Sequence, residues 1–364
     1  MQPTPAISWA DPARQAAFHA WFTPLAEQQQ LDATTLAPAS ADASFRRYFR
    51  VQGRPGGAWA SAIVMDAPPP LEDVRPFVDI AARIGAAGLH GPQLLAADAQ
   101  QGFLLLSDLG ASTYLPVLQA AVAAADAAGI QRLMRNALAA LRQWQRQVDA
   151  QGLPAYDAAL LQRELALFPE WCVAREHGVV WTEAQQSKWQ GICERLVASA
   201  LDQPRVAVHR DWMPRNLMVA SAPGAPEPGI LDFQDAVLGP VTYDIASLLR
   251  DAFISWDEPQ ELDWAVRWWQ GARADGLLAG HRFEDDFGDC WRAIEWMGLQ
   301  RHLKVLGIFC RLKHRDGKPA YSADLPRFFA YATRVVVRYR ELAPLLPLLE
   351  QLAGSLTRDG FSLR

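Results

Sequence analysis

Apolar residues recur along this chain with two periods, and the change from one to the other divides it. From Asp11 to Gln30, the residues Phe18, Trp21, Phe22 and Leu25 fall at helical spacing, which predicts an opening amphipathic helix. Short β-type runs follow at Tyr48 to Val51, Ser61 to Met65 and Gly102 to Ser107. They are separated by Gly53-Arg54-Pro55-Gly56-Gly57 and by a helical stretch from Val74 to Ala87. Beyond residue 108 the helical period takes over. Ile130, Leu133, Met134, Ala137, Leu138, Leu141, Trp144 and Val148 mark one core helix, with Arg132, Arg135, Arg142 and Arg146 on its other faces. The same period returns over Trp181 to Leu201, Trp264 to Ala274, Cys290 to Phe309 and Leu325 to Leu352. Two apolar runs, ending near His209 and at Asp232, read as strands linked through the turn Pro223-Gly224-Ala225-Pro226-Glu227-Pro228. The pattern predicts an α+β protein of two lobes: a small, mostly antiparallel sheet lobe over 1–108 and a mainly helical lobe over 109–364.

Length agrees, since 364 residues exceed what a single hydrophobic core usually supports. The net charge of −5 argues against a nucleic-acid partner. Four widely spaced cysteines, Cys172, Cys193, Cys290 and Cys310, lack a metal-binding pattern and read as reduced thiols. The start, Met1-Gln2-Pro3-Thr4-Pro5, has neither the basic residues nor the apolar stretch of a signal peptide, and no run is long enough to span a membrane. A cytoplasmic monomer is expected.

Candidate chemistry concentrates between residues 206 and 244. Val206-Ala207-Val208 leads into His209-Arg210-Asp211, Asn216 follows, and Gly229-Ile230-Leu231 ends in Asp232. In an H-x-D-x-x-x-x-N arrangement the Asp accepts the proton of an attacking hydroxyl, the Asn carbonyl holds a metal, and the Asp of the next strand holds the metal that bridges nucleotide phosphates. Asp211 is therefore the candidate base. Asn216 and Asp232 are candidate ligands for Mg²⁺, a hard cation that takes oxygen donors and leaves its remaining positions to water and phosphate.

The segment His209-Arg210-Asp211-Trp212-Met213-Pro214-Arg215-Asn216, with Leu231-Asp232-Phe233-Gln234-Asp235, Gly239-Pro240 and Tyr243-Asp244-Ile245-Ala246, resembles the aminoglycoside phosphotransferase superfamily of eukaryotic-like kinases. Phe233-Gln234-Asp235 and the lack of an Ala-Pro-Glu segment set it apart from protein kinases. Within the superfamily the chain is most similar to bacterial anomeric kinases acting on N-acetylmuramate and N-acetylglucosamine in cell-wall recycling. The residues that carry this narrower likeness are Ser40-Ala41-Asp42-Ala43-Ser44-Phe45-Arg46-Arg47-Tyr48-Phe49-Arg50 and Val64-Met65-Asp66-Ala67-Pro68-Pro69. The resemblance implies a two-lobed kinase fold, ATP and Mg²⁺, and a small-molecule acceptor. It also implies that Asp244 bonds back to the catalytic loop and that His209 braces this loop from within. Leu104 to Gly110 resembles the hinge, where backbone groups of Ser107, Asp108 and Leu109 would meet adenine.

One departure matters. The third strand of kinases carries a lysine for the phosphates, but Met65 stands there, and the four lysines of the chain are Lys188, Lys304, Lys313 and Lys318. Arg46, Arg47 or Arg50 are the candidate substitutes, with Ser44 and the backbone of its turn as a phosphate nest. For the acceptor, Trp212 and Asp235 are the candidate contacts. Arg215 would steady the acceptor or the γ-phosphate, and Arg301 or His302 would meet a sugar hydroxyl or a lactyl carboxylate. The readings that compete are a kinase of an aminoglycoside, choline-like compound or amino alcohol, and a nucleotide-binding scaffold without activity.

Overall fold

A computed structural model describes residues 7–41, 45–220 and 226–356. Nine strands are present among them: β1 (Leu31–Ala41), β2 (Arg47–Gly53), β3 (Ser61–Asp66), β4 (Leu94–Asp98), β5 (Phe103–Ser107), β6 (Arg205–Val208), β7 (Leu217–Met218), β8 (Gly229–Ile230) and β9 (Val237–Pro240). The α-helices are α1 (Pro12–Gln28), α2 (Arg75–Ala86), α3 (Tyr114–Ala123), α4 (Ala127–Gln147), α5 (Ala158–Leu167), α6 (Glu183–Leu201), α7 (Tyr243–Leu249), α8 (Glu258–Ala274), α9 (Phe287–His314), α10 (Leu325–Arg338) and α11 (Leu346–Leu356). The chain divides into two compact units, Met1–Thr113 with Asn216–Asp235, and Tyr114–Arg215 with Ala236–Arg364.

The first unit is built on a five-stranded sheet in the order β1-β2-β3-β5-β4, antiparallel throughout. Helix α1 covers it. Asp11 caps the helix by accepting from Ala13 N–H, and Phe18 and Phe22 pack with Phe49, Val51, Val64, Phe103 and Leu105 in a fully buried cluster. Phe18 meets Phe49 and Phe103 edge-on, with centroids 5.6 Å apart in each case. Strands β1 and β4 were not expected from the pattern, and both are irregular. β1 slips register between Asp32 and Ala37 and again at Pro38, where a proline suits an edge strand, so its alternation is broken. The hairpin β7–β8 belongs to this unit through bridges to Thr113 and His90.

The second unit is mainly helical, with β6 and β9 as a two-stranded antiparallel ribbon. Its core takes most of the tryptophans. Trp144, Trp264 and Trp268 are buried, and their indole N–H groups donate to Ala207 O, Gln131 and Gln145. The apolar period from Leu325 to Leu352 is not one helix. It breaks after Arg338 into a 3₁₀ segment over Arg340–Leu345 that contains Pro344, and resumes as α11 with Pro347 in its first turn. Among the described residues no helix is long and apolar enough to cross a membrane.

Candidate active site

The loop that carries Asp211 leaves β6, whose register with β9 is fixed from Arg205↔Pro240 to Val208↔Val237. Asp244, in the first turn of α7, sits with no exposed surface and receives two main-chain N–H groups: His209 N–H at 2.8 Å on Oδ2 and Arg210 N–H at 2.9 Å on Oδ1. Burial pushes its carboxyl up to about 7, while the two amide bonds pull the other way, the Asp211 charge raises it and the Arg301 charge lowers it. The bonding back expected of Asp244 is thus present. Between these contacts Arg210 adopts φ +76°, a conformation that costs a non-glycine residue energy and persists only when its surroundings hold it.

The Arg210 side chain is tied as firmly. Its Nη2 donates to Glu164 at 2.6 Å, and Glu164, buried on α5, also receives Tyr156 O–H and lies 3.0 Å from Lys304 Nζ. Lys304 in turn donates to the Tyr243 hydroxyl at 3.2 Å. Burial alone would raise the Glu164 carboxyl, but Lys304, Arg210 and Tyr156 hold it below the usual range. His209 is enclosed between aromatic rings, 5.1 Å from Trp144 and 5.4 Å edge-on from Trp212. Its Nδ1 accepts from Asp211 N–H at 3.3 Å. The Asp211 side chain at the tip of the loop is 41% exposed, with Arg301 Nη2 3.9 Å from its Oδ1.

In the other unit, Asn216 and Asp232 stand at the start of β7 and just past β8. Leu231 N–H donates to Asn216 O at 2.9 Å, and Asn216 Nδ2 lies 3.5 Å from Asp232 Oδ2. Asp232 has φ +60°, in the left-handed region that a non-glycine residue seldom adopts. Its Oδ1 accepts from Gln234 Nε2 at 2.8 Å. An amide and a carboxylate this close form an all-oxygen donor pair, which fits Mg²⁺; the amide presents its Oδ1 after a simple flip. Phe233 packs against Phe77 of α2 with centroids 4.7 Å apart, fixing the turn that carries Asp232.

Each arginine proposed to replace the missing lysine has a carboxylate partner. Arg46 Nε donates to Glu72 at 3.0 Å. Arg47 pairs with Asp66, which is completely buried and also receives Arg14; Arg47 further lies over the Trp9 ring at 4.1 Å. Arg50 binds Asp108 through Nε and Nη2 at 2.6 and 3.0 Å. Asp108 also accepts from Ser61 and Gly110 N–H. Burial raises its carboxyl, and these bonds more than offset that, leaving it below the ordinary value. Asp108 therefore acts as an internal cap of its own turn and as the ion-pair partner of Arg50. Ser107 is engaged within the sheet: its N–H donates to Gln93 O at 2.9 Å and its hydroxyl accepts from Gln93 N–H at 2.8 Å. Leu109 is buried against the hairpin, where a Cβ added at Gly229 would lie 3.0 Å from its Cδ1. Met65 is buried in the register of Tyr48 and Leu104. Ser44 lies outside the described residues.

Of the acceptor candidates, Trp212 has no exposed surface and serves as a wall for His209, so the acceptor contact expected of it finds no support in this geometry. Asp235 is exposed. Arg215 is also exposed, its guanidinium 5.0 Å from the Phe253 ring. Glu164, Lys304, Tyr156 and Arg14 are contributions that the sequence did not reveal. Glu164 lies 46 residues before Arg210 and reads locally as one polar position on an amphipathic helix.

A family model described as the phosphotransferase enzyme family matches residues 35–284. The chain is 52% identical over 318 residues to the N-acetylmuramate/N-acetylglucosamine kinase of Pseudomonas aeruginosa, covering 87% of this chain and 88% of that protein. It is 44% identical over 342 residues to the protein of the same name in Neisseria meningitidis, covering 94% and 96%. Among solved structures, an ADP-bound aminoglycoside phosphotransferase superposes with a TM-score of 0.54 at 12% identity, covering 86% of this chain and 97% of that one. That likeness is one of fold.

Proposed function

The chain belongs to the phosphotransferase enzyme family, and from that premise we propose that it transfers the γ-phosphoryl group of ATP to the anomeric hydroxyl of N-acetylmuramate, N-acetylglucosamine or both, in the recycling of cell-wall sugars. The observation that carries the reading is the loop in which Asp244 pins His209 and Arg210 and leaves the Asp211 carboxylate at its open tip. The names of the relatives at 52% and 44% identity support the acceptor class.

Asp211 receives the proton of the sugar hydroxyl as this oxygen attacks. Its exposed position suits a base that must meet an external group, and the buried bonds behind it hold it in place. The Asp211 carboxylate orients the acceptor oxygen before transfer. Asn216 and Asp232 would hold Mg²⁺, which when bound neutralises charge on the phosphate oxygens. Arg46, beside the segment that would cover the phosphates, supplies a cation where the third strand carries Met65. Its partner Glu72 takes the part of the helix glutamate that pairs with a kinase lysine.

The test is ATP consumption by the purified protein over a panel of amino sugars, aminoglycosides and amino alcohols. Turnover confined to N-acetyl amino sugars is expected. Turnover of an aminoglycoside or choline-like compound alone would overturn the acceptor assignment, and absence of transfer to any acceptor would overturn the kinase reading.

A further inference from the structure

Arg301 has no role in the mechanism above, yet it is among the most enclosed cations of the helical unit. It projects from α9 with 3% of its side chain exposed. Its Nε and Nη1 are shut off from solvent and have no hydrogen-bond partner among the described residues, so a substrate cannot reach them in this arrangement. The neighbours its charge acts on are carboxylates. Asp211 lies 3.9 Å from Nη2, and the charge of Arg301 also acts on Asp244 and on Asp251, both without exposed surface. Asp251 accepts from Ala252 N–H at 2.6 Å through Oδ1, whereas Oδ2 has no partner among the described residues.

The remaining charged groups of this interior have other partners. Arg210 and Lys304 are held by Glu164, Arg250 by Glu261 and Glu295, and Arg334 by Glu261. Arg327 of α10 lies 4.0 Å from Asp324. His302, next to Arg301, has its Nε2 3.3 Å from Arg250 O, and burial keeps its ring well below its ordinary protonation range, so it adds no charge. Arg327 also acts on Asp251, and Arg210 and Lys304 also feel Asp211, but Arg301 is the cation common to Asp211, Asp244 and Asp251. An isolated buried cation is costly, and a buried carboxylate equally so; each makes the other tolerable.

We propose that Arg301 is a positioning residue of the transfer reaction, an enclosed counter-charge 3.9 Å from Asp211 that holds the Asp211 loop and its Asp244 clamp in place. The inference rests on the phosphotransferase reading but not on which sugar is the acceptor. When Asp244 takes up a proton it becomes a poorer acceptor for the His209 and Arg210 amides, and the loop carrying Asp211 loosens. Arg301 opposes that protonation. Removing its charge therefore lets the loop fail at a higher pH, while a ligand contact would leave the pH dependence alone and change substrate affinity.

The experiment compares the parent with Arg301→Gln, Arg301→Lys and Asp251→Asn, using whichever acceptor the parent phosphorylates and, for the amino sugars, both the neutral and the acidic one. For Arg301→Gln, kcat at neutral pH should fall by about tenfold and the acid limb of kcat should rise by about one pH unit, a shift typical of losing a nearby opposite charge. Both sugars should be affected alike, ATP affinity should stay at the parent value, and Arg301→Lys should restore most of the loss. Asp251→Asn, which removes a competitor for the same cation, should move the acid limb to lower pH, and this variant decides the matter if Arg301→Gln does not fold. An unmoved acid limb in both variants, or a loss confined to the KM of the acidic sugar, would overturn the proposal. A parent without sugar turnover would instead overturn the acceptor assignment and leave the Arg301 comparison to be run on the compound that is turned over.

Discussion

Truncating Asp244 to Ala should separate stability from catalysis. The carboxylate receives two buried main-chain N–H groups at 2.8 and 2.9 Å, and leaving both unsatisfied costs about 1–3 kcal/mol each. The substitution also removes a charge that the interior disfavours. With the carboxyl pushed up to about 7 from 3.8, about three units, that charge costs about 4 kcal/mol at neutral pH at ~1.36 kcal/mol per unit. The two effects oppose, so the midpoint of urea unfolding at pH 8 should change little. Catalysis has no such compensation. Arg210 at φ +76° is released from a conformation worth roughly 1–3 kcal/mol of strain. A base displaced by about 1 Å costs on the order of 10² in rate, so kcat should fall by about that factor. The pH dependence has a definite sign. Because the folded-state value is raised, the stabilisation from Asp244 is complete below about 3.8 and is lost as pH rises through about 7. The stability gap between parent and variant should therefore be wider at pH 5 than at pH 8, while parent activity falls as pH drops below 7. Parallel urea titrations and initial rates at the two pH values measure both. An unchanged kcat, or a stability gap that widens with rising pH, would refute the clamp.

Asp211→Asn should lower kcat by on the order of 10²-fold or more with ATP affinity near the parent value by calorimetry, as expected for a general base. Asp232→Ala should raise the Mg²⁺ concentration needed for half-maximal rate steeply, and metal-independent activity would remove it as a ligand. Arg46→Ala should weaken ATP more than adenosine, by the roughly 1.5–3 kcal/mol of a charge-assisted contact. Arg47→Ala should chiefly lower stability, because it leaves the fully buried Asp66 with Arg14 alone. Nucleotide titration and thermal melting of the two variants test the division, and reversed outcomes would exchange their roles.

What the sequence made legible is what is written locally. The spacing from His209 to Asn216 and on to Asp232 depends on a few consecutive residues and two strand ends, and the α1 stripe and the β2, β3 and β5 runs carry regular periods. The strands β1 and β4 stayed hidden because bulges and a proline break their alternation. Long-range partners stayed hidden for a different reason. Nothing around Glu164 distinguishes a glutamate that holds Arg210 of the Asp211 loop from one on a wet helix face, and nothing around Asp108 announces Arg50. For Trp212, adjacency to Asp211 in sequence suggested contact with the acceptor, whereas its ring is buried against Trp144 and His209. Arg301 and Asp211, 90 positions apart, meet only through the packing of α9 in the helical unit.

The central claim, transfer to the anomeric hydroxyl of an N-acetyl amino sugar, is tested most directly by the reducing end of the product. After incubation of N-acetylmuramate or N-acetylglucosamine with ATP and Mg²⁺, the account predicts that reducing-end reactivity disappears in step with ADP formation and returns after mild acid releases the anomeric phosphate. A phosphorylated sugar whose reducing end stays intact would place the phosphate on another hydroxyl and contradict the account.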